Sequence, residues 1–505
     1  MTPPGSPGLR GRTLRSFLLL GAQRVIGVVV TAGGSIVLAR LLTPEVFGLY
    51  AILVFVITLG VRFSELGLGA ALIQRRDLGL ESRLGRRGPS PASACGAHDH
   101  AVAGLSAAFT ATFALALVLG AAIAAAAPLV GRWPGVSSEV TAPVRWLALL
   151  VVLSSLRMPA MVLLERRLAY LPLTIAETAD TVTFHVVAIA AALGGAGLWS
   201  FVMGALAARA ANLTVLWSAT RWRPTLRGSW RELAPVLRFG VLFQGSILVG
   251  IAGDAVVPTF VTAWSGVAAI GFLNWAATLA FLPLQVVSIA GRVLFPALSS
   301  LQTDTARFAE ATARALNRVT TVLYPAAALL LAGADPVVRL IFGEAWAPAV
   351  PAVRCFCLSA IIGGTSTIFV HALYGLGRAD VVFRLNLASA VLLWVMTVLL
   401  VPWLGFVGFA VASACLACAG VSYTALSLRR LVPLRVLPAV RVPLAASAGS
   451  AAVLATLAGL WIHDLPTLLI GAIVSAGAYV VFAGLIGGAA WRVEFMADWR
   501  TVLQG

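Results

Sequence analysis

The chain has 505 residues, of which 60 % are hydrophobic and 11 % charged, and its formal net charge is +17. A water-soluble fold of this length could not hide so much apolar surface, so the composition excludes a soluble globular protein. The sequence contains no lysine, and its arginines lie in short loops between apolar segments, which indicates membrane topology signals and not nucleic-acid binding.

Roughly fourteen apolar segments of about 20 residues follow one another from Ser16 to Trp491, each long enough to cross a bilayer core. Lipid offers the backbone no hydrogen-bond partner and the segments show no two-residue alternation, so we predict helices and not a barrel. The predicted spans cover residues 16–38, 48–70, 101–127, 142–164, 172–193, 197–217, 239–262, 264–288, 316–333, 350–374, 381–401, 406–428, 442–462 and 466–490.

The arginines are distributed unequally between the two sides that these spans define. One side holds only Arg40, Arg132, Arg339 and Arg354, whereas the other side holds most of the rest. The positive-inside rule therefore predicts that both termini lie in the cytoplasm.

Two sets of six spans share landmarks in the same order, which is typical of internal repeats in transporters. The interval from Pro128 to Gly197 in the first set nearly equals the interval from Pro336 to Gly408 in the second. We predict an all-α polytopic membrane protein with two six-helix lobes and a pathway at their interface. The predicted parts are an N-terminal lobe (1–217), a cytoplasmic loop (218–238), a C-terminal lobe (239–428) and a C-terminal helix pair with its tail (429–505).

Ionisable side chains inside the spans are functional candidates, because a charge in hydrocarbon needs a cavity or a partner. Arg62 and Glu65 are three residues apart and share a helical face, so they can pair. Arg209 can pair with Glu177 or Asp180. Such pairs would either lock helices together or line a cavity, and the sequence leaves both readings open. Arg24 has no acid in its own span, which favours a cavity-lining role.

The planar guanidinium donates several hydrogen bonds and stays protonated, so it suits a phosphate group. We therefore predict a basic cavity that binds an anionic cargo, and acids that are candidates for coupling to proton or sodium entry. The predicted substrate-binding residues are Arg24, Arg62, Arg157, Arg209 and Asn274. The predicted ion-coupling acids within the first lobe are Glu65, Glu177 and Asp180. No catalytic residue, cofactor, metal site or nucleic-acid partner is predicted.

Several motifs resemble a known family. Leu38-Ala39-Arg40-Leu41-Leu42-Thr43-Pro44-Glu45 with Phe47-Gly48-Leu49-Tyr50, followed by Glu65-Leu66-Gly67-Leu68, resembles the opening signature of bacterial polysaccharide-transport proteins, the Wzx-like oligosaccharide flippases. Arg292-Val293-Leu294-Phe295-Pro296 and Phe342-Gly343-Glu344 are also similar to this group. Residues 78–108 depart from the pattern, as an unusual insertion or a local frameshift would.

The resemblance implies the multidrug/oligosaccharidyl-lipid/polysaccharide exporter superfamily, with two lobes around a central cavity of alternating access. It also implies a cargo of undecaprenyl-diphosphate-linked oligosaccharide, moved across the bacterial inner membrane for exopolysaccharide, capsule or O-antigen assembly. Asp254 matches an acidic position of the family in the seventh span, so we add it to the ion-coupling candidates. Membrane lipid is an expected partner, and contact with glycan polymerase machinery is left open.

Two other functions remain open at this point. An ion-coupled multidrug or small-molecule exporter would share the architecture. An integral-membrane glycan polymerase or ligase would need a substantial outer loop carrying catalytic groups, and the longest outer connection, Leu129 to Thr141, is about a dozen residues. We therefore expect a transporter and not an enzyme.

Overall fold

The computed structural model describes residues 27, 29–68, 91–133, 136–166, 169–220, 250–253, 255–284, 294 and 298–503, with the side chains of 91–104 and 489–503 excepted. Helices, turns and short connections account for all of these residues, and none of them lies in a strand. The predicted all-α class is confirmed. The chain divides into two compact units, Met1–Ile251 and Ala252–Gly505.

The first unit contains seven helices among its described residues. They are α1 (Val29–Leu41), α2 (Pro44–Glu65), α3 (Pro91–Val130), α4 (Thr141–Leu147), α5 (Leu149–Arg166), α6 (Tyr170–Leu193) and α7 (Leu198–Thr220). Helix α2 begins with Pro44, whose missing N–H costs nothing in the first turn, and it ends where Leu66 adopts a left-handed conformation (φ 47°).

Helices α6 and α7 form a tight hairpin. The turn between them contains Gly195 (φ 75°) and Gly197 (φ 53°), a backbone region that glycine enters without strain. Further along, a Cβ on Gly204 of α7 would lie 3.0 Å from the carbonyl oxygen of Phe184 in α6. This close approach brings the polar side chains of the two helices within reach of one another, as small residues do in membrane helix pairs.

The second unit is built around a long helix. In chain order its helices are α8 (Thr262–Ser265), α9 (Val267–Ala280), α10 (Thr305–Ala332), α11 (Val350–Gly375), α12 (Ala379–Leu404), α13 (Val407–Arg429), α14 (Val436–Leu460) and α15 (Leu465–Leu503), with short helical turns over 257–261 and 334–349. Helix α10 packs against α11 and α14. Phe308, Leu323, Phe369 and Leu373 are fully buried in the resulting core.

The C-terminal helix pair, α14 and α15, belongs to this second unit. The Asn317 side chain donates a hydrogen bond to the carbonyl oxygen of Ala439 (2.8 Å), and the Tyr479 hydroxyl donates one to the carbonyl oxygen of Thr321 (2.9 Å). These bonds tie α14 and α15 to α10. Helix α15 is interrupted at Gly488 (φ 66°, ψ −160°), in a region open essentially to glycine alone.

Eleven helices among the described residues are long and apolar enough to cross a membrane. About half of the first predicted span (16–38), half of the seventh (239–262) and the end of the eighth lie outside the described residues, so the count of about fourteen stays a prediction. The predicted lobe boundaries also stay predictions, because residues 221–249 are not among the described residues.

The structure corrects the start of the ninth predicted span. Helix α10 begins at Thr305 and not at residue 316, because Asp304 caps it by accepting a hydrogen bond from the backbone N–H of Arg307 (3.0 Å). The additional turns are polar and carry the Glu310–Arg314 ion pair (3.2 Å). An apolarity criterion therefore misses turns that are helical but not hydrophobic.

Helices α12 and α13 approach each other closely at Gly408. A Cβ at this position would lie 2.6 Å from the carbonyl carbon of Leu400 and 2.7 Å from the amide nitrogen of Val401, both backbone atoms that cannot rotate away. We expect Gly408→Ala to destabilise the protein by about 1–3 kcal/mol through overpacking. The measurement is thermal unfolding of the purified protein in detergent.

Gly363→Ala in α11 is the matched control, because nothing lies within 4 Å of its Cβ position. This variant should keep or slightly raise the melting temperature, since alanine favours a helix. Equal melting temperatures for the two variants would contradict the close approach of α12 and α13.

Candidate functional site

A cavity of about 620 Å³ lies within the first unit, between α2, α4, α5, α6 and α7. On α2 its lining follows one helical face, from Tyr50 through Val54, Ile57 and Val61 to Glu65, at spacings of three or four residues. The volume falls in the range of sites that hold small-molecule ligands. The cavity is therefore the candidate binding site of this unit.

Three of the predicted arginines meet in this cavity. Arg62 comes from α2, Arg157 from α5 and Arg209 from α7. No hydrogen bond or ion pair joins Arg157 to any of the described residues, and its Nε is buried without a partner. Because buried polar atoms are nearly always hydrogen-bonded, the unpartnered Nε makes Arg157 the first candidate among these arginines for contact with a ligand.

The other two arginines face carboxylates. Arg62 donates from Nη1 to Oε2 of Glu65 (3.3 Å), which lies on the same helix, so this pair does not lock two helices together. Arg209 of α7 lies opposite Asp180 of α6, with 3.7 Å between Nη1 and Oδ1. That distance is too long for a hydrogen bond, and both Oδ1 of Asp180 and Nε of Arg209 are buried without a hydrogen-bond partner. The pair bridges two helices but holds them loosely.

Among the described residues, the lining carries three acids, Glu65, Glu165 and Asp180, beside the three arginines. The formal charges of the described lining are therefore balanced, whereas the sequence predicted a basic cavity. The carboxylates compete with any bound anion for the guanidinium groups, and their protonation or displacement would leave the cavity positive. The net charge of the cavity would therefore change with the protonation or displacement of these carboxylates.

The structure brings five of the nine predicted site residues into one cavity: Arg62, Arg157, Arg209, Glu65 and Asp180. Glu177 is exposed on α6 and does not line the cavity. Asn274 is exposed on α9 in the second unit. Arg24 and Asp254 lie outside the described residues, so their roles stay predictions.

Sequence reasoning missed Glu165 and Tyr50 as lining residues. Glu165 was left outside the fourth predicted span, which ended at residue 164, yet it continues the face of Arg157 and Met161 at four-residue spacing. That periodicity could have found it. Nothing in the local sequence singles out Tyr50, whose position depends on how α2 packs.

Comparison with known proteins defines the family. The profile of the family described as "Polysaccharide biosynthesis protein" matches residues 37–351, more than half of the chain, so the chain belongs to this family. The succinoglycan biosynthesis transport protein ExoT of Rhizobium meliloti is 26 % identical over 356 residues, which cover 70 % of this chain and 67 % of that protein. The lipopolysaccharide biosynthesis protein WzxC of Escherichia coli is 22 % identical over 387 residues, which cover 74 % of this chain and 73 % of that protein.

Solved structures share the fold. The lipid II flippase MurJ in an inward closed conformation superposes with a TM-score of 0.75 at 13 % identity, covering 94 % of this chain and 98 % of that one. An inward-facing multidrug-resistance transporter of the MATE family superposes with a TM-score of 0.61 at 15 % identity. The superposition covers 82 % of this chain and 98 % of that transporter. The chain therefore shares the fold of these two transporters.

The chain is a multi-span membrane transporter involved in polysaccharide biosynthesis. ExoT is named as a transport protein, so the transporter interpretation stands over the polymerase or ligase interpretation. The orientation of the termini stays a prediction.

The Arg209–Asp180 geometry predicts a weak energetic coupling. The side chains are 24 % and 31 % exposed and 3.7 Å apart, so screening reduces their attraction. A double-mutant cycle with Arg209→Met and Asp180→Asn should give a coupling of about 1 kcal/mol or less in unfolding free energy. The measurement is thermal or denaturant unfolding in detergent.

A second cycle on Arg314 and Glu310, an exposed pair on α10, provides the control and should give a similarly small value. A coupling of several kcal/mol for Arg209 and Asp180 alone would show that this pair locks the hairpin, contrary to the loose contact.

Proposed function

We propose that the protein flips undecaprenyl-diphosphate-linked oligosaccharide from the cytoplasmic to the periplasmic leaflet of the bacterial inner membrane, for exopolysaccharide, capsule or O-antigen assembly. The observation that carries the proposal is Arg157, a half-buried arginine whose buried Nε has no acceptor among the described residues, in a cavity that also contains Arg62 and Arg209. The names of ExoT and WzxC support a glycan cargo over a drug.

Diphosphate chemistry fits these three arginines. A lipid-linked diphosphate carries adjacent anionic groups with several acceptor oxygens, and guanidinium forks donate two parallel hydrogen bonds to such groups. Arg157 receives the diphosphate first because no carboxylate has to be displaced from it. Arg62 and Arg209 then exchange their loose contacts with Glu65 and Asp180 for phosphate oxygens.

Release requires the reverse exchange. When the carboxylates recapture their arginines, the cavity returns to balanced charge and the diphosphate loses its partners. Glu65 and Asp180 are therefore the acids through which proton or sodium entry would couple to transport, with Glu177 beside them and Asp254 in the seventh predicted span. The proposal includes alternating access of the two lobes, a contribution of Arg24 and Asn274 to substrate binding, both termini in the cytoplasm, and contact with glycan polymerase machinery.

The test is substitution of Arg157. In proteoliposomes loaded with lipid-linked oligosaccharide, we expect Arg157→Gln to lower the initial rate of flipping by about tenfold or more, because hydrogen bonds to a charged group contribute about 1.5–3 kcal/mol. Arg157→Lys keeps the charge but not the fork, so its rate should lie between those of Arg157→Gln and the original protein.

Arg145→Gln is the matched control. This arginine is exposed outside the cavity, where its Nε lies 3.4 Å from the carbonyl oxygen of Ala124. Its loss should leave the flipping rate unchanged. An unaltered rate in a well-folded Arg157→Gln protein would reject the proposed diphosphate site.

A further inference from the structure

The two ends of the cavity differ in chemistry. Tyr50 and Arg62 both line it from α2 and are twelve residues apart, so the helical rise separates their levels by roughly 18 Å. The arginine end is charged, with Arg62, Arg157 and two carboxylates. The opposite end is formed by the aromatic rings of Tyr50 and Phe184.

The aromatic end is rigidly built. The Tyr50 ring stacks on Phe201 with 4.4 Å between centroids and 11° between planes, and it lies 6.3 Å from the ring of Phe184 at 28°. Phe201 is only 3 % exposed and does not line the cavity, so it supports the Tyr50 ring from behind. Phe47 packs edge-on against Phe201 (5.0 Å, 80°) and completes this support outside the cavity.

A free hydroxyl and a carboxylate accompany the rings. The Tyr50 hydroxyl makes no hydrogen bond to the described part of the chain, whereas Thr58 and Ser154 lie one turn from Arg62 and Arg157 and so belong to the arginine end. Asp180 places a carboxylate between the two ends, and its buried Oδ1 accepts no hydrogen bond from any described residue. A wall of fixed rings beside a free hydroxyl and a carboxylate is suited to a ligand that is apolar on its faces and carries hydroxyls at its edge.

We infer that the aromatic end is a sugar subsite, in which a pyranose ring lies against Tyr50 and Phe184 while its hydroxyl groups bond to Asp180 and to the Tyr50 hydroxyl. The inference rests on the proposed function, since it places the first sugar of the glycan beyond the diphosphate held by the arginines. A carboxylate repels a diphosphate but is a strong acceptor for sugar hydroxyls, so Asp180 serves the glycan while the arginines serve the phosphates.

An acyl chain is a poorer fit for this end. Such a chain cannot satisfy the Tyr50 hydroxyl or the Asp180 carboxylate, and a buried polar group without a partner destabilises a complex. A free phosphate would favour the arginine end, where the guanidinium groups are. Of the three ligands, only the sugar uses both the rings and the polar groups beside them.

The experiment compares two probes on the purified full-length protein: polyprenyl diphosphate, and polyprenyl diphosphate carrying a single hexose. The measured quantity is the ratio of their dissociation constants. The original protein should bind the hexose-bearing lipid more tightly. Tyr50→Leu should reduce that preference by about tenfold while leaving the affinity for the bare lipid unchanged, and Tyr50→Phe, which keeps the ring, should reduce it by less.

Phe47→Leu is the matched control, because Phe47 belongs to the same aromatic stack but does not line the cavity. It should keep the preference for the hexose. Arg157→Gln should weaken both lipids by the same factor and leave the ratio intact. Melting temperature and monodispersity in detergent verify that each variant is folded, and Tyr50→Phe preserves the packing on Phe201 if Tyr50→Leu does not fold.

The outcomes separate the two proposals. Equal affinities of the original protein for both lipids, or an unchanged ratio in Tyr50→Leu and Tyr50→Phe, would overturn the sugar subsite and leave the diphosphate site standing. If Arg157→Gln binds polyprenyl diphosphate as tightly as the original protein does, the diphosphate site is overturned. The ratio of the two dissociation constants in the Tyr50 variants would still test the sugar subsite. Absence of binding by both lipids would overturn both.

Discussion

The free-energy cost of an ionised side chain at membrane depth constrains this protein more than any other factor. Such a group is stable only beside water, an opposite charge or a ligand. The first unit places Arg62, Arg157, Arg209 and Asp180 around one cavity, so their charges face a common space inside the helix bundle. Packing that closed this space would leave Arg157 as a buried charge without a partner, which is strongly destabilising.

Close helix packing makes this arrangement possible. Between α6 and α7, Gly204 allows the backbones to approach until only a hydrogen fits against Phe184. Asp180 and Arg209 on these helices are thereby held 3.7 Å apart, near enough for attraction and too far for a hydrogen bond. The contact is therefore weak enough to exchange for a stronger acceptor. Small residues in the hairpin thus control the strength of a charge contact in the cavity.

Balanced charge has consequences for transport. A purely basic cavity would bind a diphosphate tightly and release it slowly, since release requires breaking every contact. In the proposed mechanism, Glu65 and Asp180 offer the arginines alternative partners and so lower the barrier to release. Arg157, which has no ion pair with a described carboxylate, is in this proposal the strongest point of attachment for the diphosphate.

The sequence by itself determined the membrane class, most of the helices and the charged candidates, because span length and the cost of a charge in lipid are local properties. It missed the polar first turns of α10 and the position of Glu165 inside a helix, because both are helical without being apolar. Only the tertiary structure decided that Arg62, Arg157 and Arg209 meet, that three acids balance them, and that Tyr50 lines the same cavity. Those facts depend on the packing of helices distant in sequence, which helical periodicity within one segment does not specify.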